Sequence, residues 1–399
     1  MGADEMNENT VYWVWLSMAL GAAARVDEIL ACYPSPKEIY ESDRTARIIS
    51  GVFSRPQIDR LEKTPLKNAQ VALETCKRNG WKVYTPDDDD YPELLRNLTD
   101  MPLVLYVDGD ISCVNKSICI GVVGTRKPSY ESVRIARMLC GEMAAKNTVI
   151  VSGGALGIDS AAHEGALMAE GKTICVMGCG LGYGYLRENE PLRRKISQSG
   201  AVVSEFPPLS GVTRSSFPIR NRIISGMSMG VLVVEAGERS GSLITARNAS
   251  EQGRDVFAVP GSILNSAYTG VNRLIRDGAI VATCADDIIG GYGLMYPDRV
   301  DSNAPVKQML FEEVEADMEK AEEELVGLAP KTSKTPKTPP ENLDSDSLKV
   351  YGLFKGEPLH TDEICVLSGL PAPKVFTALM TLEIENLIKA TDGKCYELV

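Results

Sequence analysis

The chain has 399 residues, of which 44% are hydrophobic and 24% are charged, and its formal net charge is −12 at pH 7. This length predicts two or three domains, and the composition excludes a fibrous or wholly disordered protein. The 10 cysteines are scattered singly and only 2 histidines are present, so that we expect no disulfide framework, no metal site and no Ser-His-Asp triad.

The first 80 residues carry apolar side chains at spacings of three and four, interrupted by prolines. This pattern predicts a small helical domain over residues 1–80. The longest apolar run, residues 11–24, is too short to cross a bilayer and follows acidic rather than basic residues, which favours a buried helix. We therefore expect a cytoplasmic protein with no membrane partner.

Short apolar runs of strand length alternate with segments of helical period between residues 81 and 295. The runs are residues 118–123, 149–152, 173–177, 201–204, 231–235 and 256–258. Such alternation is typical of βαβ units that build a parallel sheet covered on both faces. Residues 81–295 are therefore predicted to form a Rossmann-like, doubly wound α/β domain with a mainly parallel sheet.

The amino-acid composition changes after this domain. Residues 296–344 are first acidic and then rich in Pro, Lys and Thr, a composition that favours a linker because it cannot bury a core. Residues 345–399 read as three short helices followed by two strands around a turn at Asp392 and Gly393. This order predicts a winged-helix domain.

Glycine-rich loops follow the first two strands of the predicted parallel sheet. Gly124, Thr125 and Arg126 come after the first strand, and Gly153 and Gly154 follow the second. Glycine lets the backbone approach a ligand and helix-start N–H groups favour anions, so both loops are candidates to hold phosphate at one sheet edge. The tight turns that every doubly wound fold needs explain the glycines equally well.

Residues 212–226 contain three arginines and no acidic residue. Arginines without an acidic neighbour in the sequence favour an external anion, although an ion pair with Glu205 or Glu235 is the alternative for one of them. The polar residues stand ahead of an apolar segment, residues 223–227, that we predict to be helical. The candidate contacts are Arg220, Asn221 and Arg222, with Arg214 and Phe217 as additional ones.

A last candidate loop contains Ser240, Gly241 and Ser242, which join a strand to a helix in the manner of an anion-binding nest. Together the sequence has four loops that are candidates to bind an anion, which is more than one mononucleotide needs. Four such loops better fit several consecutive phosphates of a polymer. No nucleophile, carboxylate pair or metal cluster accompanies them. We therefore predict no catalytic residue and no cofactor.

These motifs resemble the DprA (Smf) family of bacterial DNA-processing proteins. The matching segments are residues 124–126, 152–154, 157–159, 217–222, 240–245 and 253–261. The resemblance implies a homodimer that binds single-stranded DNA, protects it and helps to load the RecA recombinase in transformation or recombination, without enzymatic activity.

The resemblance also implies roles for individual residues. Arg126 and the amides of Gly124 and Thr125 would grip phosphate, residues 220–222 would continue the track, and residues 241–242 would supply the nest. The chain departs from the family at two positions. Leu156 stands where the family often has a basic residue, and Leu186 follows Tyr185 where the family has a proline after the tyrosine. The helix around Lys374 in the winged-helix domain is mostly apolar and is expected to contact protein rather than DNA.

Two other functions fit parts of the sequence. Hydrolases of nucleoside monophosphates have a similar fold and a Pro-Gly-Gly-x-Gly-Thr-x-x-Glu motif, but residues 236–245 lack its final glutamate. A protein-binding scaffold whose core has lost its ligand is the third reading, and the presence of Arg126 and Arg220 argues against it.

Overall fold

The computed structural model describes residues 9–301, 343–354, 359–385, 387–391 and 395–398. The chain divides into two compact units, residues 1–316 and residues 317–399. Most of the predicted linker, residues 302–342, and the predicted turn at Asp392 and Gly393 lie outside the described residues. The linker therefore stays a prediction.

The first unit begins with six helices. They are α1 (Thr10–Leu20), α2 (Asp27–Cys32), α3 (Pro36–Glu41), α4 (Arg44–Ser50), α5 (Arg55–Lys63) and α6 (Leu66–Asn79). Ser35 and Asp43 begin α3 and α4 by accepting a hydrogen bond from a backbone N–H three residues later. The apolar run forms the buried α1, whose Trp15 and Leu16 belong to the same core as strand residues of the sheet. The boundary predicted at residue 80 thus lies within one compact unit.

A nine-stranded sheet follows, in the order β1-β2-β6-β5-β4-β3-β7-β8-β9. Its strands are β1 (Lys82–Tyr84), β2 (Leu105–Gly109), β3 (Cys119–Val123), β4 (Val149–Ser152), β5 (Thr173–Met177), β6 (Ala201–Ser204), β7 (Gly230–Val233), β8 (Asp255–Ala258) and β9 (Ile280–Val281). The seven strands β3 to β9 are parallel to one another, whereas β1 and β2 form an antiparallel edge next to β6. The predicted mainly parallel α/β fold is confirmed.

Helices cover both faces of this sheet. They are α7 (Glu93–Arg96), α8 (Tyr130–Ala145), α9 (Ile158–Met168), α10 (Glu190–Ser199), α11 (Ser216–Gly226), α12 (Ser242–Glu251), α13 (Thr269–Arg276) and α14 (Ala285–Met295). Along β3, Cys119 and Val123 join one buried cluster while Ile120 and Val122 join the other. Since successive strand side chains point to opposite faces, a continuous apolar run is what a doubly covered strand requires.

The strand order reverses at β3. From β3 the chain proceeds outward to β6 and then returns to β7 on the other side of β3. The loops after β3 and β7 therefore diverge and leave a crevice at the carboxyl ends of these strands, which is where open α/β sheets bind ligands.

The described residues of the second unit form three helices and a small antiparallel sheet in the order β10-β12-β11. Its elements are α15 (Ser345–Tyr351), β10 (Leu359–His360), α16 (Thr361–Ser368), α17 (Ala372–Ile384), β11 (Ile388–Thr391) and β12 (Cys395–Leu398). The second unit has its own hydrophobic core, in which Phe354, Ile364 and Leu379 are buried. This arrangement is the predicted winged helix.

No single helix in the described ranges is long and apolar enough to span a membrane. The helices α16 and α17 meet the criterion of length and composition only as a pair, and they are bent by 111° relative to each other.

Candidate functional site

A cleft of about 360 Å³ opens at the carboxyl ends of β3 and β7, and we call it the switch-point cleft. It brings together residues that are far apart in the sequence. The predicted site residues that line it are Gly124, Thr125, Arg126, Phe217, Arg220, Asn221, Ser240, Gly241 and Ser242. The convergence follows from topology, because loops after neighbouring parallel strands meet at one edge of the sheet.

The loop after β3 is held by hydrogen bonds to the end of β7. Thr125 N–H donates to the Glu235 carbonyl at 2.8 Å. The prediction that this amide binds phosphate is therefore wrong. The Glu235 carboxylate accepts from Ser129 N–H at 2.9 Å and from Ser129 Oγ at 2.8 Å. Ser129 in turn begins α8 by accepting from Ser132 N–H. Glu235 therefore braces the loop and pairs with no predicted site arginine.

Arg126 lies on the rim of the cleft and is exposed. Its guanidinium carbon is 5.0 Å from the centre of the Phe217 ring, and the Phe217 and Tyr185 rings are 5.4 Å apart. No carboxylate of the described residues forms an ion pair with Arg126. A cation stacked on an aromatic face keeps the N–H groups at its edge for an anion.

Arg220 forms part of the floor. It is only 4% exposed, and its Nη1 donates to the Gly153 carbonyl at 2.5 Å and to the Val176 carbonyl. A Cβ at residue 153 would overlap the guanidinium, so Arg220 keeps this position only because residue 153 is glycine. Burial lowers the pKa of Arg220, an effect that the nearby Asp159 opposes.

Arg222 is placed elsewhere, and its predicted contact with phosphate is wrong. Its Nη2 donates to Glu205 Oε1 at 2.5 Å and Oε2 at 2.6 Å, and its Nε lies 3.4 Å from Asp100 Oδ2. Because α11 begins at Ser216 rather than near residue 223, residues 220 and 222 are both helical, and their side chains point about 160° apart around the helix axis. The alternative of an ion pair with Glu205 is the one realised.

Residues 240–242 offer hydroxyl groups more than amides. Ser240 Oγ and Ser242 Oγ are 2.7 Å apart. Ser242 N–H donates weakly to Ser240 Oγ at 3.4 Å, and Leu243 N–H donates to the Ser240 carbonyl at 3.2 Å. Gly241 is exposed, and a Cβ at this position would meet no protein atom within 4 Å. The turn thus exposes backbone without a side chain at Gly241, flanked by two serine hydroxyls.

Thr245 is a cleft residue that was not predicted. It is 1% exposed, and its Oγ1 has no hydrogen-bond partner among the described residues. It follows Gly241 by four residues, so one turn of α12 places it on the same face of the helix. Helical spacing from the predicted nest was the signal in the sequence that pointed to it.

Two buried residues near the cleft, Asp159 and His163, have structural roles. The Asp159 carboxylate accepts from Ala155 N–H at 3.4 Å and braces that loop. His163 Nδ1 is 2.7 Å from Thr173 Oγ1, whose own proton goes to the Ile150 carbonyl, so Nδ1 carries the donated proton. Burial lowers the pKa of His163 to about 3.

Several predicted contacts lie outside the cleft. Arg214 is exposed in the turn before α11. Gly154 has a left-handed conformation with φ of 62° and does not line the cleft. Of the two departures from the family pattern, Leu156 is 39% exposed and Leu186 has an unusual positive φ of 43°. Neither of them lines the cleft.

Comparison with known proteins gives consistent matches. The family model for DNA recombination-mediator protein A matches residues 82–293, and that for the DprA winged helix domain matches residues 334–394. Protein Smf of Escherichia coli is 35% identical over 351 residues, covering 84% of this chain and 83% of that protein. DNA processing protein DprA of Streptococcus pneumoniae is 42% identical over 205 residues, covering 51% and 72%. The X-ray structure of DprA from S. pneumoniae superimposes with a TM-score of 0.61 at 33% identity, covering 70% of this chain and 97% of that one.

Proposed function

Because the chain belongs to the DprA (Smf) family of DNA-processing proteins, we propose that it binds single-stranded DNA in the switch-point cleft and performs no chemistry on it. The observation that carries this proposal is the placement of Arg126. Its exposed guanidinium stacks on Phe217 at the mouth of the cleft, where a strand can contact both a cation and an aromatic ring. Such a pairing is the usual means of binding single strands without reading their sequence.

The site residues act in three ways in this proposal. Arg126 contacts a backbone phosphate directly, while Arg220 holds the floor and contributes positive potential from below. Ser240 and Ser242 share one hydrogen bond between their hydroxyls, so one of the two hydroxyls donates to a phosphate oxygen. The exposed Gly241 lets the backbone of the strand come close. Asn221 accepts from Arg220 Nε at 3.1 Å and keeps its amide N–H groups for the strand.

Membership of the family also supports the remaining parts of the proposal. The protein acts as a homodimer, protects single strands and assists loading of RecA during transformation or recombination. The mostly apolar α17 of the winged helix has one lysine, Lys374, which pairs with Asp346 at 2.9 Å. A protein partner therefore suits this helix better than the major groove does.

The test is a fluorescence anisotropy titration with labelled poly-thymidine and with a duplex of equal length, each at two salt concentrations. We expect tighter binding of the single strand. Arg126→Ala weakens it and reduces the slope of log affinity against log salt by about 0.7, the value for one phosphate contact on a single strand. Arg78→Ala is the control, because Arg78 is exposed on α6 away from the cleft. Equal affinity for duplex, or unchanged affinity in Arg126→Ala, would contradict the proposal.

A further inference from the structure

The loop between β8 and α13 contains a β-turn of unusual composition. Asn265 N–H donates to the Ser262 carbonyl at 3.2 Å, which closes the turn and puts Ile263 and Leu264 at its two central positions. Small or polar residues and proline dominate the centres of turns, because they adopt the turn conformation readily or bond to its backbone. Two branched aliphatic residues therefore run against the local chemistry of this turn.

These two side chains project almost entirely into solvent, and we call the pair the apolar tip. Ile263 is 91% exposed and Leu264 is 93% exposed, and no other large apolar side chain of the described residues is as exposed. Packing within the fold does not explain the pair, and turn chemistry disfavours it. Positions where the local rules of a sequence fail in this way are often functional.

The apolar tip stands on a fixed base. The Asn272 side chain of α13 donates to the Gly261 carbonyl at 2.9 Å and accepts from Gly261 N–H at 3.3 Å. On the other side of the turn, Asn265 Oδ1 accepts from Ala267 N–H at 3.0 Å. A side chain that is already held in place loses little conformational freedom on binding, which favours a direct contact with a ligand.

The tip lies on the same edge of the sheet as the switch-point cleft. β8 pairs in parallel with β7, so the loops that follow these two strands leave the sheet side by side. Tyr268, which follows the turn, places its hydroxyl 3.1 Å from Ser129 Oγ, and Ser129 binds the Glu235 carboxylate at the end of β7. The tip is therefore the next projection beyond the wall of the cleft that carries residues 240–242.

We propose that the apolar tip inserts between two successive bases of the bound single strand, beside the cleft, and separates them. The inference rests on the proposed binding of single-stranded DNA and adds a contact outside the switch-point cleft. Apolar side chains are the type of residue that proteins insert between base steps. A duplex must give up more stacking than a single strand does, so the tip also disfavours duplex DNA.

The small size of the tip favours a base step over a protein partner. Its neighbours along the loop, Ser262, Asn265 and Ser266, are polar. Two aliphatic side chains among polar residues supply much less apolar area than the roughly 1,000 Å² that a stable protein interface buries. The gap between two bases needs no more than these two side chains.

The experiment replaces both side chains in the double variant Ile263→Ser with Leu264→Ser. By anisotropy, this variant binds poly-thymidine about fivefold more weakly than wild type, because it loses aliphatic contact with the bases. It binds a strand of equal length that lacks bases as wild type does. The slope of log affinity against log salt is unchanged, because the tip carries no charge. Serine suits a turn and both positions are exposed, so the fold is unaffected.

A pair of adjacent 2-aminopurines reports the separation of bases directly, since stacking quenches their fluorescence. The pair is moved one position at a time along an oligonucleotide. Wild-type protein raises the fluorescence at one location of the pair, whereas the double serine variant raises it at none.

Leu294→Ser is the matched control, because Leu294 is 87% exposed on α14 and does not line the cleft. It should keep the affinity and the fluorescence change of wild type. Wild-type affinity of the double serine variant for poly-thymidine overturns the insertion, and so does an equal loss of affinity for the strand without bases. Loss of self-association in sedimentation with unchanged DNA affinity overturns it as well, because the tip then contacts protein. Failure of the wild-type protein to bind poly-thymidine overturns the proposed function itself.

Discussion

Arg220 and Arg222 have the same chemistry and opposite surroundings. One contacts backbone carbonyls beneath the cleft, and the other forms an ion pair with Glu205 on the far side of α11. Glu205 itself is buried, and burial raises its pKa while Arg222 opposes this effect. The pair is therefore a structural unit whose two members depend on each other.

Arg222→Ala is expected to destabilise the protein rather than to abolish a DNA contact. It leaves Glu205 buried without its partner, which typically costs about 3–5 kcal/mol of the free energy of unfolding. Urea denaturation measures this loss, and anisotropy on the folded variant should give the wild-type affinity. Arg126→Ala should show the reverse, with normal stability and weakened binding. A folded Arg222→Ala protein with the binding defect of Arg126→Ala would contradict this assignment.

His163 is expected to make the stability of the protein depend on pH. Its pKa is held at about 3 by burial, so the unfolded chain binds the proton first on acidification. The contribution of this histidine to stability is therefore nearly complete at pH 7 and falls by up to about 2 kcal/mol between pH 7 and pH 5. Thermal denaturation across this range checks the slope.

His163→Asn serves as the comparison, because its amide can still donate to Thr173 and has no proton to gain. This variant should lose most of the pH dependence between pH 7 and pH 5. The same substitution at His360, whose side chain is 36% exposed, should leave that dependence in place. An equal slope in wild type and His163→Asn would show that other groups cause it.

At the level of elements, the turn into α12 is open to a direct test. Gly241→Ala adds a methyl group that meets no protein atom, so the fold should be unchanged. The methyl occupies the space where the strand approaches, and the affinity for poly-thymidine should fall severalfold in anisotropy. Gly290→Ala in α14 is the control, since its added methyl is equally free of contacts. It should raise stability by about 0.5–1 kcal/mol and leave binding unchanged.

The strands and helices of the α/β domain were predictable because their signals are local. The run at residues 118–123 becomes β3, and the segment of helical period that follows it becomes α8. β9 has only two residues, both exposed, and carried no such signal. The start of α11 was predicted too late, near residue 223, because the polar character of residues 220–222 suggested a loop. Arginine does not break a helix, and α11 begins at Ser216.

The site was predictable only as far as strand order could be inferred. Glycine-rich turns at strand ends placed Arg126 and Gly241 at one edge of the sheet correctly. The rotation of α11 about its axis decides which arginine faces the cleft, and this rotation depends on packing against Glu205, which follows β6. Thr245 Oγ1 has no hydrogen-bond partner among the residues that the structure describes, and this is likewise a property of packing and not of local sequence.

At the level of the whole molecule, the proposed DNA contacts belong to the first compact unit. The winged helix has a separate core around Phe354 and Ile364. A chain ending at residue 316 is therefore expected to bind poly-thymidine with an affinity within about twofold of the full chain. Anisotropy on the two proteins compares them directly. A tenfold weaker shortened chain would show that the winged helix contributes to binding.

The reversal of strand order at β3 has a consequence for how the protein opens. One wall of the cleft follows β3 and the other follows β7, and the segment between them builds three of the nine strands, β4 to β6. An occupant of the cleft therefore bridges two parts of the sheet that a partial opening between β3 and β7 would separate. Bound oligonucleotide should slow amide hydrogen exchange in β4 to β6 and in β8 alike, so that protection by a small ligand extends across strands it never contacts.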